Sequence, residues 1–147
     1  MGSTFKSLHY HIIFSTKERR PFIKAQWRPE MHRYLGGIVR RLGGKAEAVG
    51  GVEDHVHLMV SLNTDQNPAA LVREVKKASS VWASGKYEKL FAWQEGYAVF
   101  TVSSTHSTPL RRYIANQEEH HRKATFLEEL QRVLIKNHVT YDPKYLL

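Results

Sequence analysis

The stretch Ala46-Glu47-Ala48-Val49-Gly50-Gly51-Val52-Glu53-Asp54-His55-Val56-His57-Leu58-Met59-Val60-Ser61-Leu62 decides the fold. Its apolar residues recur at period two, the repeat of a strand. The interruption at Gly50-Gly51 and Asp54 divides it into two antiparallel strands joined by a tight connection or bulge. In the second strand Val56, Leu58, Val60 and Leu62 share one face, and His55, His57, Met59 and Ser61 share the other. Upstream, Leu8 to Thr16 alternates in the same way and ends at the charged turn Lys17-Glu18-Arg19-Arg20-Pro21. Between these strands, Arg28-Pro29 opens a helix whose Met31, Leu35, Ile38 and Leu42 fall at helical spacing; Gly36-Gly37 weakens it and Gly43-Gly44 stops it. Downstream, Asn67-Pro68 caps a second helix carrying Leu71, Val75, Ala78 and Trp82 as far as Gly85, and Tyr97 to Val102 reads as a fourth strand. Thr108-Pro109 opens a third helix over about 109–123. Thr125 and Glu128 form a capping box for a fourth over about 126–137. The order βαββαβ followed by helices predicts an α+β, ferredoxin-like antiparallel sheet with additional C-terminal helices. Two helices would cover one sheet face and a site would sit on the other, while the Gly43-Gly44, Gly50-Gly51 and Gly85 positions read as ordinary turns and caps.

At 147 residues and 41% hydrophobic content, residues 1–147 form one domain able to bury a core without bridges or a structural metal. The opening Met1-Gly2-Ser3 carries no weight. Lys and Arg number 22 against 14 Asp and Glu, a net +8 that points to polyanionic partners. With no cysteine, disulfides, thiolate metal sites, iron–sulfur clusters and cysteine nucleophiles are excluded. Apolar runs such as Ile12-Ile13-Phe14 and Leu58-Met59-Val60 are far shorter than the about 20 residues of a membrane span, and no signal peptide opens the chain. The chain therefore reads as soluble and cytoplasmic, with no membrane partner. No Walker loop, dinucleotide fingerprint, zinc-protease helix or nucleophile elbow is present.

Residues i and i+2 of a strand point to one face about 6.6 Å apart, so His55 and His57 can converge on one cation while Val56 anchors the strand. His9-Tyr10-His11 offers the same geometry, and spacing alone leaves both pairs open. On the third helix Tyr113 and Gln117 are four apart and share a face, where they either pack as ordinary helix residues or converge on chemistry. His120 and His121 lie near that face. With Arg111, Arg112, Arg122 and Lys123 they make the helix basic, as either a solvated surface or a phosphate contact. Lys17, Arg19, Arg20, Lys24 and Arg28 form a second basic group, interleaved with aromatics in a mixture that suits single-stranded nucleic acid.

Taken together, Gly51 to Val60 and Arg112-Tyr113-Ile114-Ala115-Asn116-Gln117-Glu118-Glu119-His120-His121 resemble the single-tyrosine HUH transposases of bacterial insertion sequences and their relatives associated with repetitive extragenic palindromes. Tyr10 to Lys17, Arg20-Pro21 and the tail Tyr141-Asp142-Pro143-Lys144-Tyr145 also look like that family, so the resemblance runs nearly the whole chain. It implies that His55, His57 and Gln117 bind a divalent metal, Mg²⁺ or Mn²⁺, and that Tyr113 is the nucleophile, with His11 a supporting group near the site. It implies cleavage and rejoining of single-stranded DNA beside a hairpin through a 5′-phosphotyrosine. Many relatives are homodimers sharing the tyrosine helix, and others act as monomers. Lys17, Arg19, Arg20, Arg111, Arg112, His120 and His121 are the expected DNA contacts.

Two rival readings keep the same fold. A hairpin-binding regulator of DNA or RNA would leave the histidines unused, and a metal-dependent phosphodiesterase using water would make Tyr113 dispensable.

Overall fold

The computed structural model describes residues 2–146; Met1 of the opening tripeptide and Leu147 lie outside it. Four strands, β1 (His9–Ser15), β2 (Lys45–Gly51), β3 (His55–Ser61) and β4 (Ala98–Val102), form one sheet in the order β2-β3-β1-β4. Every neighbouring pair is antiparallel. Helix α1 (Arg28–Arg41) connects β1 to β2, and α2 (Pro68–Lys86) precedes β4. This is the expected α+β, ferredoxin-like sheet. Local chemistry sets its helix ends: Asn67 accepts the Ala70 amide at 2.8 Å ahead of Pro68, and Gly43, at φ +93°, turns the chain out of α1. Gly85 does not end α2, which runs one residue further.

The alternation along the strands builds two different faces. Ile12 and Phe14 of β1 with Val56, Leu58 and Val60 of β3 pack against Met31, Leu35, Ile38 and Val39 of α1 and Leu71, Val72 and Val75 of α2. The opposite face carries His11, Ile13, His55, His57, Met59 and Phe100. Contrary to expectation, helices cover it too. Met59 is capped by Leu110 and Ile114 of α3 (Ser107–Ala115), while Ile13 and Phe100 pack under Phe126, Leu130 and Leu134 of α5 (Phe126–Lys136). The reason is hydrophobic: buried apolar area contributes about 25 cal/mol per Å², and this face presents enough of it to recruit both amphipathic helices. Helix α5 starts at the expected capping box, with Thr125 and Glu128 bonded reciprocally.

Two further features depart from the sequence reading. The third helix is not continuous over 109–123: α3 ends at Ala115, Asn116 adopts φ −99° and ψ 24°, and a short α4 (Gln117–His120) follows. Asn tolerates this bridge conformation well, whereas the helical propensity of its neighbours conceals the break. Gly50 is also more than a turn residue. It pairs with His57 in the β2–β3 ladder, and a Cβ there would lie 2.2 Å from the Ile114 carbonyl oxygen. Gly50 is therefore where α3 rests directly on the sheet. The adjacent Gly51, at φ +148°, makes the turn toward β3; a Cβ there would strike the His55 carbonyl at 2.2 Å.

His32 of α1 is pushed down from 6.5 to about 4, first by burial and then by Arg28, against a smaller opposing effect of Glu118. It stays neutral in the fold below the pH at which it protonates in the unfolded chain. Its contribution to stability is complete above about pH 6.5 and is lost as pH falls toward 4, with a magnitude of about 1–3 kcal/mol. Urea midpoints measured with chelator present at pH 7 and pH 4.5 should show a smaller acid loss for His32→Gln than for the unaltered chain; equal losses would contradict this account.

Candidate active site

His55 and His57 sit on the second sheet face with no exposed surface, which their alternation with Val56 and Leu58 dictates. Each has its Nδ1 engaged. The Asp54 carboxylate lies 2.7 Å from His55 Nδ1, and His11 Nε2 lies 2.8 Å from His57 Nδ1. The His11 and His57 rings stack with centroids 5.1 Å apart. Burial and His57 push His11 down to about 3, so it is neutral and able to accept the His57 N–H. Both Nε2 atoms face the space under α4 and α5.

Three groups from the segment after α3 meet them there. Gln117, buried at the start of α4, places Oε1 3.1 Å from His55 Nε2, and its amide nitrogen donates to Glu129 Oε2 at 3.0 Å. The same amide reaches back to the Tyr113 carbonyl at 3.4 Å, across the break at Asn116. His121 points Nε2 at Gln117 Oε1 (3.0 Å) and Glu129 Oε1 (3.1 Å), and its Nδ1 donates to the Ala124 carbonyl at 2.8 Å. Glu129 Oε1 lies 3.0 Å from His57 Nε2 and 3.3 Å from His55 Nε2. The Tyr113 hydroxyl donates to Glu129 Oε2. One ligand atom from each of His55, His57, His121 and Glu129 falls within 4.8 Å of all the others, so these four could hold a metal ion.

The electrostatics follow from this crowding. Burial pulls His55 down, but its bonds to Asp54 and Glu129 outweigh that and push it up to about 9. His57 is lowered, chiefly by burial, because one carboxylate cannot keep two adjacent imidazoles charged. Burial raises Glu129, yet the surrounding histidines, His121 first, hold it well below the usual carboxylate range. Tyr113 is raised, by burial and then by Glu129.

Of the residues anticipated from sequence, Tyr113, His55, His57 and Gln117 come together within one chain. His11 adjoins them, whereas His9 turns away to Glu47 at 3.0 Å. His121 faces inward, and His120 Nε2 lies 3.3 Å from Glu129 Oε2. Arg111 pairs with Glu47 at 3.4 Å, and Arg112 is exposed. Lys17, Arg19 and Arg20 form an exposed turn anchored by Thr16, which bonds the carbonyls of Arg20 and Asp54, and Arg20 also pairs with Glu18. A cleft of about 620 Å³ between α3 and α5 leads to Tyr113 and Glu129, with His106, Arg132 and Lys136 among its lining. Glu129 was not anticipated. The available signal was its place on α5, about 60° around the axis from Phe126 and next to Leu130, at the margin of the apolar stripe rather than opposite it.

A histidine pair on a central strand facing a tyrosine helix across a ferredoxin-like sheet defines a class, and the chain belongs to the IS200-like transposase family, whose model matches residues 4–117. Among characterised relatives it is similar to the ISDra2 transposase TnpA of Deinococcus radiodurans, 27% identical over 119 residues that cover 76% of this chain and 85% of the relative. A solved protein of the same organism, provisionally assigned as a transposase, shares the fold at a TM-score of 0.64 with 24% identity, covering 80% of this chain and 96% of that one. A REP-associated tyrosine transposase solved with a REP hairpin matches at a TM-score of 0.60 and 16% identity, covering 82% and 74%. Among the described residues no helix is long and apolar enough to cross a membrane.

Proposed function

We propose that this protein cleaves and rejoins single-stranded DNA through Tyr113, next to a DNA hairpin, and acts as a homodimer. The observation that carries the reading is the convergence of the Tyr113 hydroxyl with His55, His57 and Gln117 at one buried point, reached through an open cleft. A divalent cation, Mg²⁺ or Mn²⁺, held by His55, His57 and Gln117 would polarise the scissile phosphate and offset its charge. A phenol of raised pKa is a weak nucleophile at neutral pH, which is why that assistance is needed.

The Tyr113 oxygen attacks phosphorus in line, and the bond from phosphorus to the 3′ oxygen breaks. The proton lost by the phenol is balanced by the one the leaving 3′-hydroxyl gains. The 5′ end stays on Tyr113 as a phosphotyrosine, so the phosphodiester energy is retained and an incoming 3′-hydroxyl reverses the step without ATP. In this reading the strand enters the cleft, where the lining Arg132, Lys136 and His106 would meet phosphates and Phe100 would offer an aromatic surface to a base. The exposed Lys17, Arg19, Arg20 and Arg112 would extend this contact. The hairpin bound by the REP-associated neighbour supports a hairpin substrate here.

Labelled single strands covering both flanks of the gene, incubated with the protein and Mn²⁺, should give an SDS-stable adduct. Mass spectrometry should place the nucleotide on the peptide containing Tyr113. DNA bound without attachment, or attached to another residue, would refute the reading.

A further inference from the structure

Each imidazole at the cluster centre has its Nδ1 engaged by a partner outside that centre. A carbonyl can only accept, so His121 carries its proton on Nδ1 toward Ala124. The Asp54 carboxylate accepts the Nδ1–H of His55, and Nδ1 of His57 is engaged by His11 Nε2. The Nε2 atoms of His55, His57 and His121 all point at Glu129 Oε1, and two of them also at Gln117 Oε1. Glu129 is 2% exposed, and among the described residues no Lys or Arg nitrogen approaches its carboxylate within ion-pair distance. A buried carboxylate without a cation is costly.

The distances match another arrangement. Donors about 2.1 Å from a common cation lie about 3.0 Å apart at right angles and about 3.4 Å apart at tetrahedral angles. The separations of Glu129 Oε1 from His57, His121 and His55 are 3.0, 3.1 and 3.3 Å, and those of Gln117 Oε1 from His121 and His55 are 3.0 and 3.1 Å. These are the edges of a coordination polyhedron. Each imidazole also has its far nitrogen bonded, the arrangement that orients metal-binding histidines.

We propose that Glu129 Oε1 and His121 Nε2 are ligands of the cation alongside His55 and His57, and that Glu129 Oε2 holds the Tyr113 hydroxyl beside it. One carboxylate then ties the position of the nucleophile to the occupancy of the metal site. Three imidazoles and one carboxylate select a transition-metal ion such as Mn²⁺ over Mg²⁺, which prefers oxygen ligands and retains its waters. His121 and Glu129 lie beyond residue 117, where the family match ends. The inference deepens the reading of the same site given above and rests on it only for the identity of the nucleophile.

Titration of the full chain with Mn²⁺, followed by the electron paramagnetic resonance of the free ion, tests it. Mn²⁺ should bind at least about 100-fold more tightly than Mg²⁺ in competition. Glu129→Gln and His121→Ala should each weaken Mn²⁺ at least about tenfold, with Tyr113→Phe leaving it unchanged. Affinities within twofold of the unaltered protein in both ligand variants would overturn the proposal, as would comparable binding of Mg²⁺. Should either variant fail to fold, ¹⁵N-histidine spectra of the unaltered protein loaded with Zn²⁺ decide: three Nε2 resonances, those of His55, His57 and His121, must shift, and a shift of only two overturns it. Adduct formation is scored separately. A protein that binds Mn²⁺ as described yet never attaches DNA would refute strand transfer alone, and one that attaches DNA with Mn²⁺ affinity unmoved by both substitutions would refute the ligand assignment alone.

Discussion

Tyr113→Phe is expected to lower covalent DNA attachment by at least about 10³-fold, to the background of the assay, while the protein still folds and binds cation and DNA. The side chain divides cleanly into a packing part and a chemical part. Its ring meets His57 at 5.7 Å and His120 at 5.4 Å, contacts that phenylalanine keeps. Only the hydroxyl is lost, with one hydrogen bond to Glu129, at a stability cost of about 1 kcal/mol. The result also separates mechanisms. If water were the nucleophile, strand cleavage would survive the substitution, and gel analysis of cut strands beside the adduct assay would reveal it. His57→Ala should abolish cleavage under both enzymatic mechanisms, because it removes a buried imidazole from the centre of the cluster.

Gly50→Ala is the second large effect expected, far from what a methyl group ordinarily does on a strand. The new Cβ would stand 2.2 Å from the Ile114 carbonyl oxygen and 2.8 Å from its Cγ2, and the obstacle is helix backbone rather than a pliable side-chain end. Either α3 lifts or β2 retreats. Overpacking of this kind costs about 1–3 kcal/mol. The functional loss should be larger than the stability loss: Ile114 follows Tyr113 directly and Gly50 pairs with His57, so the methyl separates the proposed nucleophile from a proposed metal ligand. A displacement near 1 Å costs about 10²-fold in rate. Denaturant midpoints and adduct formation measured on the same preparation check both parts, and a variant with unaltered adduct formation would show that α3 does not depend on this contact.

Much of this architecture is written locally. Strand alternation, the Asn67-Pro68 start of α2 and the Thr125/Glu128 box of α5 each depend on a handful of neighbouring residues, and each forms as the chain predicts. His55, His57, Tyr113 and Gln117 were legible because spacing and family resemblance coincide on them. What escaped is what tertiary packing decides. The break at Asn116 is announced by no Gly or Pro, and it forms where Gln117 is buried against the histidines. Glu129 follows the capping Glu128 and reads as an ordinary solvated carboxylate until α5 is laid on the sheet. His120 and His121 sit in a basic run, and only docking shows that they turn inward. Gly50 looks like punctuation because nothing in sequence announces that Ile114, sixty-four residues later, will cross it.

The covering of the second sheet face by the last helix also sets an order of events during synthesis. The sheet and its first-face helices can assemble as soon as β4 has emerged, since their core uses no residue after it. Phe126, Leu130 and Glu129 come later, and until they dock, Ile13 and Phe100 face water and the histidine pair has no carboxylate beside it. A nascent or prematurely terminated chain would thus be a folded sheet with an unfinished centre. The strand cleavage proposed above would become possible only once α5 has docked and brought Glu129 to the histidines.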